Sequence, residues 1–269
     1  MRFASAKLVV LSAALLLVAA CGGSPTQPSP VQPTQTLPTL QSLGSATARP
    51  LSKTTYVAFG DSITQGTITM FNGLLQLVVN PVSYPYKLQN LLQTEHSDQR
   101  IHVYNEGVQG EATGTGSQEW GITRLPGVLD ADNPQVLLLL EGVNDLDGLG
   151  SAGIQPTIQN LQTMIQDAQA RGITVLLGTL LAQRPGGYRA ISINLVQPFN
   201  QQLEVMAASM GVTVVDFYTP FSQDLSLLGP DGLHPNADGY TKMAQIWQNA
   251  IDTAFEEPLP TPAHPNGTH

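Results

Sequence analysis

The sequence predicts an α/β fold in which five parallel strands form one sheet with helices on both faces. Short apolar runs recur along the chain, amphipathic segments separate them, and the connections are long enough for crossover helices. Such runs are typical of strands buried on both faces of a parallel sheet, and their crossover connections are right-handed. The five runs lie at 55–59, 101–105, 135–142, 173–180 and 212–217.

The segments between these runs keep helical spacing. Apolar residues recur every three or four positions over Ile154–Ala168 and again over Phe199–Met210. Pro156 suits a first helical turn, and Gly172 suits a C-terminal cap. A last helix is predicted from about Ala237 to Phe255, because its apolar residues share one face.

Residues 67–83 fit this scheme poorly. They lie between the turn after the first strand and a helix beginning near Tyr84, and they contain the apolar run Leu74–Val79. Loops beside a ligand site are often functional, whereas apolar runs are usually buried. Two interpretations stay open for this segment: a wall or lid beside the site, and a short element that packs in the core.

Composition excludes some classes of partner. The chain has 269 residues and 42% hydrophobic content, which suit a globular protein. Its formal net charge is -9; residues 1–20 hold two basic residues and no acid, so the remainder has 9 basic and 20 acidic residues, or -11. This balance argues against a polyanionic partner, and no nucleic acid is expected.

The first twenty residues are typical of an export signal, with two basic residues before a thirteen-residue apolar stretch that is too short to cross a bilayer. The stretch ends in VAAC, Val18–Cys21, which resembles the lipobox of bacterial lipoproteins. We therefore expect lipidation at Cys21 and an exported protein anchored to the cell envelope. Gly22 after the cysteine favours the outer membrane. The alternative is a plain secreted protein cleaved near Cys21.

The predicted domain boundaries follow composition. Residues 21–53 begin with the lipidated cysteine and are rich in Pro, Thr, Gln and Ser, so they predict a disordered tether. Residues 54–257 form the folded domain, and 258–269 form a second disordered tail. Cys21 is the only cysteine of the sequence, which excludes a disulfide within the chain and disfavours a cysteine-based zinc site.

Polar residues collect where the predicted strands end. Residues 60–62 follow the first strand, 105–110 the second, 142–145 the third, and 231–235 a loop after the fifth. In an open parallel sheet the ligand site lies beyond the carboxyl ends of the strands. The sequence therefore predicts that a serine, backbone donors, an amide and an acid with a histidine converge at one edge.

His234 is placed to act as a base for Ser62. Asp231 stands three residues earlier, so its carboxylate could bond one imidazole nitrogen while the other faces the serine. Taken singly, Ser62 could be a helix cap, and the Asp231–Pro235 turn could be a simple turn before the last helix. The other histidines lie in the tail, near a surface helix end, and at the amino end of the second strand: His264, His269, His96 and His102.

Together these residues resemble the SGNH hydrolases, also called GDSL-type esterases and lipases. The four blocks that carry the resemblance stand in the family's order over about 175 residues: Gly60-Asp61-Ser62, Asn105 with Gly110, Gly142-x-Asn144-Asp145, and Asp231-x-x-His234. The resemblance implies a flavodoxin-like three-layer α/β/α sandwich with strand order 2-1-3-4-5. It also implies ester hydrolysis without a metal or other cofactor.

The resemblance further assigns roles to single residues. Ser62 is the nucleophile, His234 the base and then the acid, and Asp231 the carboxylate that orients the histidine. The oxyanion hole comprises the backbone N–H groups of Ser62 and Gly110 and the side-chain amide of Asn144. Gly107 lies in the same turn as Gly110 and stays open as the alternative donor.

The function expected is that of a serine esterase working through an acyl-enzyme on Ser62, with a small-molecule, glycan or lipid ester as substrate. Within this class a carbohydrate deacetylase and a lysophospholipase or thioesterase are alternatives. A non-catalytic binding lipoprotein on the same scaffold is the alternative of another class. Gly148–Gly153 matches G-x-G-x-x-G, but five residues separate it from the strand and no acid follows at the required distance, so no dinucleotide is expected.

Overall fold

The computed structural model describes residues 48–71, 75–114 and 120–258. The expected signal segment, Cys21 and most of the expected tether and tail lie outside the described residues. The domain packs back to at least Leu51, which the sequence places in the tether. Leu51 is buried, bridges to Glu256, and donates its N–H to Gln99 Oε1 at 2.8 Å.

Among the described residues, seven strands form two sheets. In chain order they are β1 (Thr55–Gly60), β2 (Thr67–Met70), β3 (Leu75–Val78), β4 (His102–Gly107), β5 (Val136–Leu140), β6 (Thr174–Gly178) and β7 (Thr213–Val215). The main sheet is parallel throughout and has the order β4-β1-β5-β6-β7. Counted along this sheet's own strands, the order is 2-1-3-4-5, so the expected three-layer fold is confirmed.

Helices cover both faces of the main sheet. They are α1 (Ser62–Gln65), α2 (Tyr84–Glu95), α3 (Gly121–Asp132), α4 (Val143–Leu149), α5 (Ile154–Ala170), α6 (Ile193–Ser209), α7 (Tyr218–Gln223) and α8 (Ala237–Phe255). Helices α2 and α8 pack together on one side, and α5 packs between α3 and α6 on the other. Within the described ranges no helix is both long and apolar enough to cross a membrane.

The core lies between the sheet and its helices. All five residues of β5 are buried, as expected for a central parallel strand. On the face of the sheet that α2 and α8 cover, Trp247 of α8 is fully buried. The centre of its ring lies 5.0 Å from that of Phe217 and 6.3 Å from that of Tyr84. This packing holds the strand ends, and the loops that follow them, in a fixed arrangement.

The segment 67–83 contains an antiparallel hairpin of β2 and β3, which the sequence does not predict. Most of its apolar side chains are exposed, above all Phe71 at 69%, although Ile68 and Val82 pack partly buried against the core, so the core-packing interpretation does not hold for β3. Instead Gln76 links two loops: its Nε2 donates to the Tyr188 hydroxyl at 3.3 Å, and its Oε1 accepts from Gln109 at 3.2 Å. The β2–β3 hairpin therefore forms a wall beside the sheet edge where β1 and β4 end.

Candidate active site

Ser62 lies at the carboxyl end of β1, at the first residue of α1. Asp61 precedes it and caps this helix, since its Oδ1 accepts the backbone N–H of Ile63 at 2.8 Å. Ser62 is 3% exposed, and its Oγ lies 2.8 Å from Nε2 of His234, a residue 172 positions away. The cap explains the local conformation, and the long-range contact gives the hydroxyl a base within hydrogen-bonding reach.

His234 and Asp231 share one tight turn before α8. Asp231 Oδ2 lies 2.5 Å from Nδ1 of His234, and Oδ1 accepts the backbone N–H groups of Leu233 at 3.0 Å and His234 at 3.1 Å. Both side chains are buried. A carboxylate in this position fixes the imidazole tautomer with its proton on Nδ1, which leaves Nε2 free to accept the Ser62 hydroxyl proton.

The pKa of Asp231 reflects the same contacts. Burial raises the pKa of this carboxyl, but the hydrogen bond and charge of His234 and the backbone N–H groups of Leu233 and His234 lower it more. The net result is a pKa below the ordinary value, so Asp231 is an anion at neutral pH and can stabilise an imidazolium beside it.

The turn after β4 presents Gly110 at the same edge. Gly110 has a φ of +76°, which favours glycine, and it is exposed, since a Cβ there would meet nothing within 4 Å. Gly107 differs, because its N–H donates to Asn105 Oδ1 at 3.1 Å and a Cβ would clash with the backbone of Gln65 at 2.0 Å. Of the two glycines, Gly110 is the one that can present its N–H to a ligand.

Asn144 lies in the first turn of α4, directly after β5. Its Nδ2 donates to the backbone oxygen of Glu111 at 2.7 Å and to Asp61 Oδ2 at 3.2 Å. The neighbouring Asp145 points inward and accepts the N–H and hydroxyl of Thr113 at 2.7–3.1 Å. Asn144 and Gly110 both line one cavity at this edge, while Asp145 braces the loop that carries Glu111.

A group of buried carboxyls lies behind these residues, and sequence reasoning did not find it. Burial, followed by the charges of Asp61, Glu111 and Asp145, raises the pKa of Glu141 well above its ordinary value. Burial likewise raises the pKa of Asp61, to about 6. Arg124 offsets part of this charge through hydrogen bonds to Glu111 at 2.6 and 2.8 Å. The four acids are far apart in sequence, so only the fold brings them together.

One group of side chains in the described ranges has atoms close enough to share a metal ion: Glu95, His96 and Asp252. It lies where α2 meets α8, away from Ser62. The sequence places His96 near a surface helix end; it does follow α2, but its side chain is buried, and Nε2 contacts Asp252 at 3.3 Å. This contact pairs the two helices. His102 begins β4 at its amino end, as expected, and His264 and His269 lie outside the described residues.

Comparisons with known proteins show which family this chain resembles. A family model described as the GDSL-like lipase/acylhydrolase family matches residues 58–242. The esterase TesA of Pseudomonas aeruginosa is 32% identical over 163 residues, which cover 60% of this chain and 74% of that protein. A multidomain esterase of Ruminococcus flavefaciens is 24% identical over 216 residues, which cover 72% of this chain and 28% of that protein. The chain thus matches only part of the multidomain relative.

Solved structures share the fold. A lipase/acylhydrolase from Enterococcus faecalis covers 76% of this chain and 99% of its own, with a TM-score of 0.61 and 22% identity. Est24, a carbohydrate acetylesterase from Sinorhizobium meliloti, covers 76% and 100%, with a TM-score of 0.62 and 18% identity. At these identities the likeness concerns the fold alone. Because the family model spans more than half of the chain, the chain belongs to the GDSL-like lipase/acylhydrolase family, that is, to the SGNH hydrolases.

Proposed function

We propose that this protein is a serine esterase that hydrolyses carboxylic esters through an acyl-enzyme on Ser62. The observation that carries the proposal is the buried hydrogen-bonded chain from Ser62 Oγ through His234 to Asp231, with contacts of 2.8 and 2.5 Å. Among serine nucleophiles this arrangement serves acyl transfer, because the base removes the hydroxyl proton as the oxygen attacks.

The reaction has two steps. Ser62 Oγ attacks the ester carbonyl while His234 Nε2 takes its proton, and the tetrahedral intermediate then expels the alcohol, which receives that proton from His234. Water deprotonated by His234 next attacks the acyl-enzyme, and the proton returns to Ser62 as the carboxylic acid leaves. Asp231 keeps its negative charge throughout and stabilises the imidazolium form of His234.

The oxyanion in this proposal is bound by the backbone N–H groups of Ser62 and Gly110 and by Nδ2 of Asn144. Asn144 is a neutral donor, so it stabilises negative charge without competing for the proton that His234 carries. Its 3.2 Å contact with Asp61 is the weaker of its two, and this is the contact that an arriving oxyanion would replace.

The substrate class within this proposal has two candidates, named by the relatives. One candidate is a glycan ester, the class for which the fold neighbour Est24 is named; the other is a lipid ester or thioester. For location we propose a lipid anchor at Cys21 that holds the protein on the cell envelope, with the outer membrane favoured by Gly22.

Hydrolysis of 4-nitrophenyl acetate by Ser62→Ala tests the proposal against a non-catalytic binding protein. The variant should lose all but a small residual rate, while Ser222→Ala, which removes an exposed hydroxyl of α7, should keep the wild-type rate. Comparable rates for Ser62→Ala and wild type would overturn the assignment.

A further inference from the structure

A cavity of about 500 Å³ opens beside Gly110 and Asn144. Its outer walls carry side chains with no role in the proposed reaction, among them Trp120, Asp147 and Arg189. We call it the side cavity. We propose that the side cavity binds the alcohol part of the ester, and that this part is a neutral polyhydroxyl group such as a sugar ring. The inference rests on the proposed function and names the substrate class of the same site.

The position of the side cavity assigns it to the alcohol rather than the acyl group. One wall is the loop 184–192, and this loop is fastened to the turn that holds His234. Arg189 donates its backbone N–H to the Asp231 oxygen at 2.9 Å, and Arg184 donates to the Gly232 oxygen at 2.8 Å. The leaving alcohol must lie next to the group that protonates it, so it leaves along this wall.

The polar groups of the side cavity suit hydroxyl groups. Ser192 donates to Asp147 Oδ1 at 2.7 Å and so fixes that carboxylate. Asp147 Oδ2 and Arg189 Nε make no hydrogen bond with any described residue, and Arg189 Nη2 lies 3.8 Å from Asp147 Oδ2, too far for one. A sugar hydroxyl both donates and accepts, so a small adjustment of the pair lets one hydroxyl bond to Asp147 and another to Arg189.

The charge and the aromatic side chain of the side cavity limit the chemical classes of ligand that it can bind. Two carboxyls, Asp147 and Asp145, line the cavity together with Arg189, the one cation among its described lining residues, and the whole chain has a net charge of -9, which opposes an anionic ligand. A plain alkyl chain would strip water from the Asp147–Arg189 pair without replacing the hydrogen bonds. Trp120 supplies an apolar surface on which the C–H face of a sugar ring can pack.

Three acetate esters distinguish the possible alcohols: a monoacetylated methyl xyloside, butyl acetate and 1-acetylglycerol 3-phosphate. The wild type should give the highest kcat/KM with the xyloside acetate. Asp147→Asn and Arg189→Gln should each lower this value by about 10- to 100-fold, the usual effect of losing a hydrogen bond to a charged group, and leave butyl acetate nearly unchanged. The matched controls are Asp167→Asn and Arg171→Gln, a surface pair at the C-terminal end of α5.

Three other results would contradict either the role of the side cavity or the proposed function. Equal losses on the xyloside acetate and butyl acetate would show a purely structural role and overturn the inference. A wild-type preference for butyl acetate or for the phosphate ester would overturn it in favour of an alkyl or an anionic alcohol. Failure to hydrolyse any ester would contradict the proposed function instead.

A binding measurement tests the side cavity independently of catalysis. Saturation-transfer NMR with methyl xyloside and the Ser62→Ala protein should show contact that Asp147→Asn abolishes, and no contact in either protein would overturn the inference.

Discussion

Replacement of Asp231 by asparagine isolates the role of its charge, because the side chain keeps its shape. Oδ1 can still accept the N–H groups of Leu233 and His234, which hold the turn. In the wild type, Oδ2 of Asp231 lies 2.5 Å from Nδ1 of His234. In the variant an amide N–H₂ group takes the place of this oxygen and faces Nδ1. Two donors cannot face each other, so the imidazole proton moves to Nε2, and His234 then presents a donor to Ser62 instead of an acceptor.

This change of tautomer determines how far kcat should fall. Loss of the correct tautomer in an Asp-His-Ser arrangement lowers kcat by about 10⁴-fold. At about 1.4 kcal/mol per tenfold, the activation free energy rises by about 5.5 kcal/mol. We expect a KM close to that of the wild type, because Asp231 is fully buried and does not line the cavity at the sheet edge.

The assay is steady-state hydrolysis of 4-nitrophenyl acetate, combined with thermal unfolding of each variant. Asp224→Asn is the control, since Asp224 is an exposed aspartate that also accepts a backbone N–H two residues ahead. It should keep the wild-type rate. A kcat of Asp231→Asn within tenfold of the wild type, in a protein that unfolds at the same temperature, would show that Asp231 does not set the tautomer of His234.

Two further predictions come from the structure and a third from the sequence. Asn144→Ala should lower kcat by about 10²- to 10³-fold with little change in KM, the usual cost of losing one oxyanion donor; an unchanged kcat would remove Asn144 from the oxyanion hole. Burial raises the pKa of Asp61 to about 6 in the folded protein, above its ordinary value of 3.8, so folding favours the protonated form. Its contribution to stability is therefore complete below about pH 4 and is lost as the pH rises through 6. Chemical denaturation should show that the free energy of unfolding of Asp61→Asn, relative to the wild type, increases from pH 4 to pH 7; a constant difference would contradict the raised pKa. Finally, Cys21→Ala should move the protein from the membrane fraction to the soluble fraction of cells that express the full chain, and retention in membranes would count against the lipid anchor.

Features encoded by local patterns were predictable from the sequence. The five strands of the main sheet are predictable because each is a short apolar run, and the last helix is placed at Ala237–Phe255 because its apolar face is continuous. Its beginning is sharp, since the Asn236 side chain accepts the N–H groups of Asp238 and Gly239. The four polar blocks were placed at one edge by the rule for parallel sheets, and the structure brings Ser62, Asp231 and His234 into contact.

Features that depend on distant contacts were not predictable. Helix α3 contains Pro126 and two glycines, which weaken its helical pattern, so its bounds are not predictable from the sequence. The buried position of His96 depends on Asp252, 156 residues away. Glu141 follows an apolar strand, and the residues next to it in the sequence do not indicate that it lies close to Asp61, Glu111 and Asp145 in the fold.

The β2–β3 hairpin was missed for another reason. Its residues are apolar, which in an isolated segment usually indicates burial, whereas Met70, Leu75 and Val78 are exposed. The contact of Gln76 with Tyr188, 112 residues away, is what places the hairpin beside the site.

In the proposed reaction Ser62 is the nucleophile and His234 activates it. Reaction with a fluorophosphonate, followed by mass spectrometry of the intact protein and its peptides, tests this claim directly, because the reagent forms a stable bond to an activated serine. We expect one adduct per chain, located at Ser62, and no adduct in His234→Ala under the same conditions. A wild-type protein that hydrolyses esters but carries its adduct on another residue, or carries none, would contradict this claim.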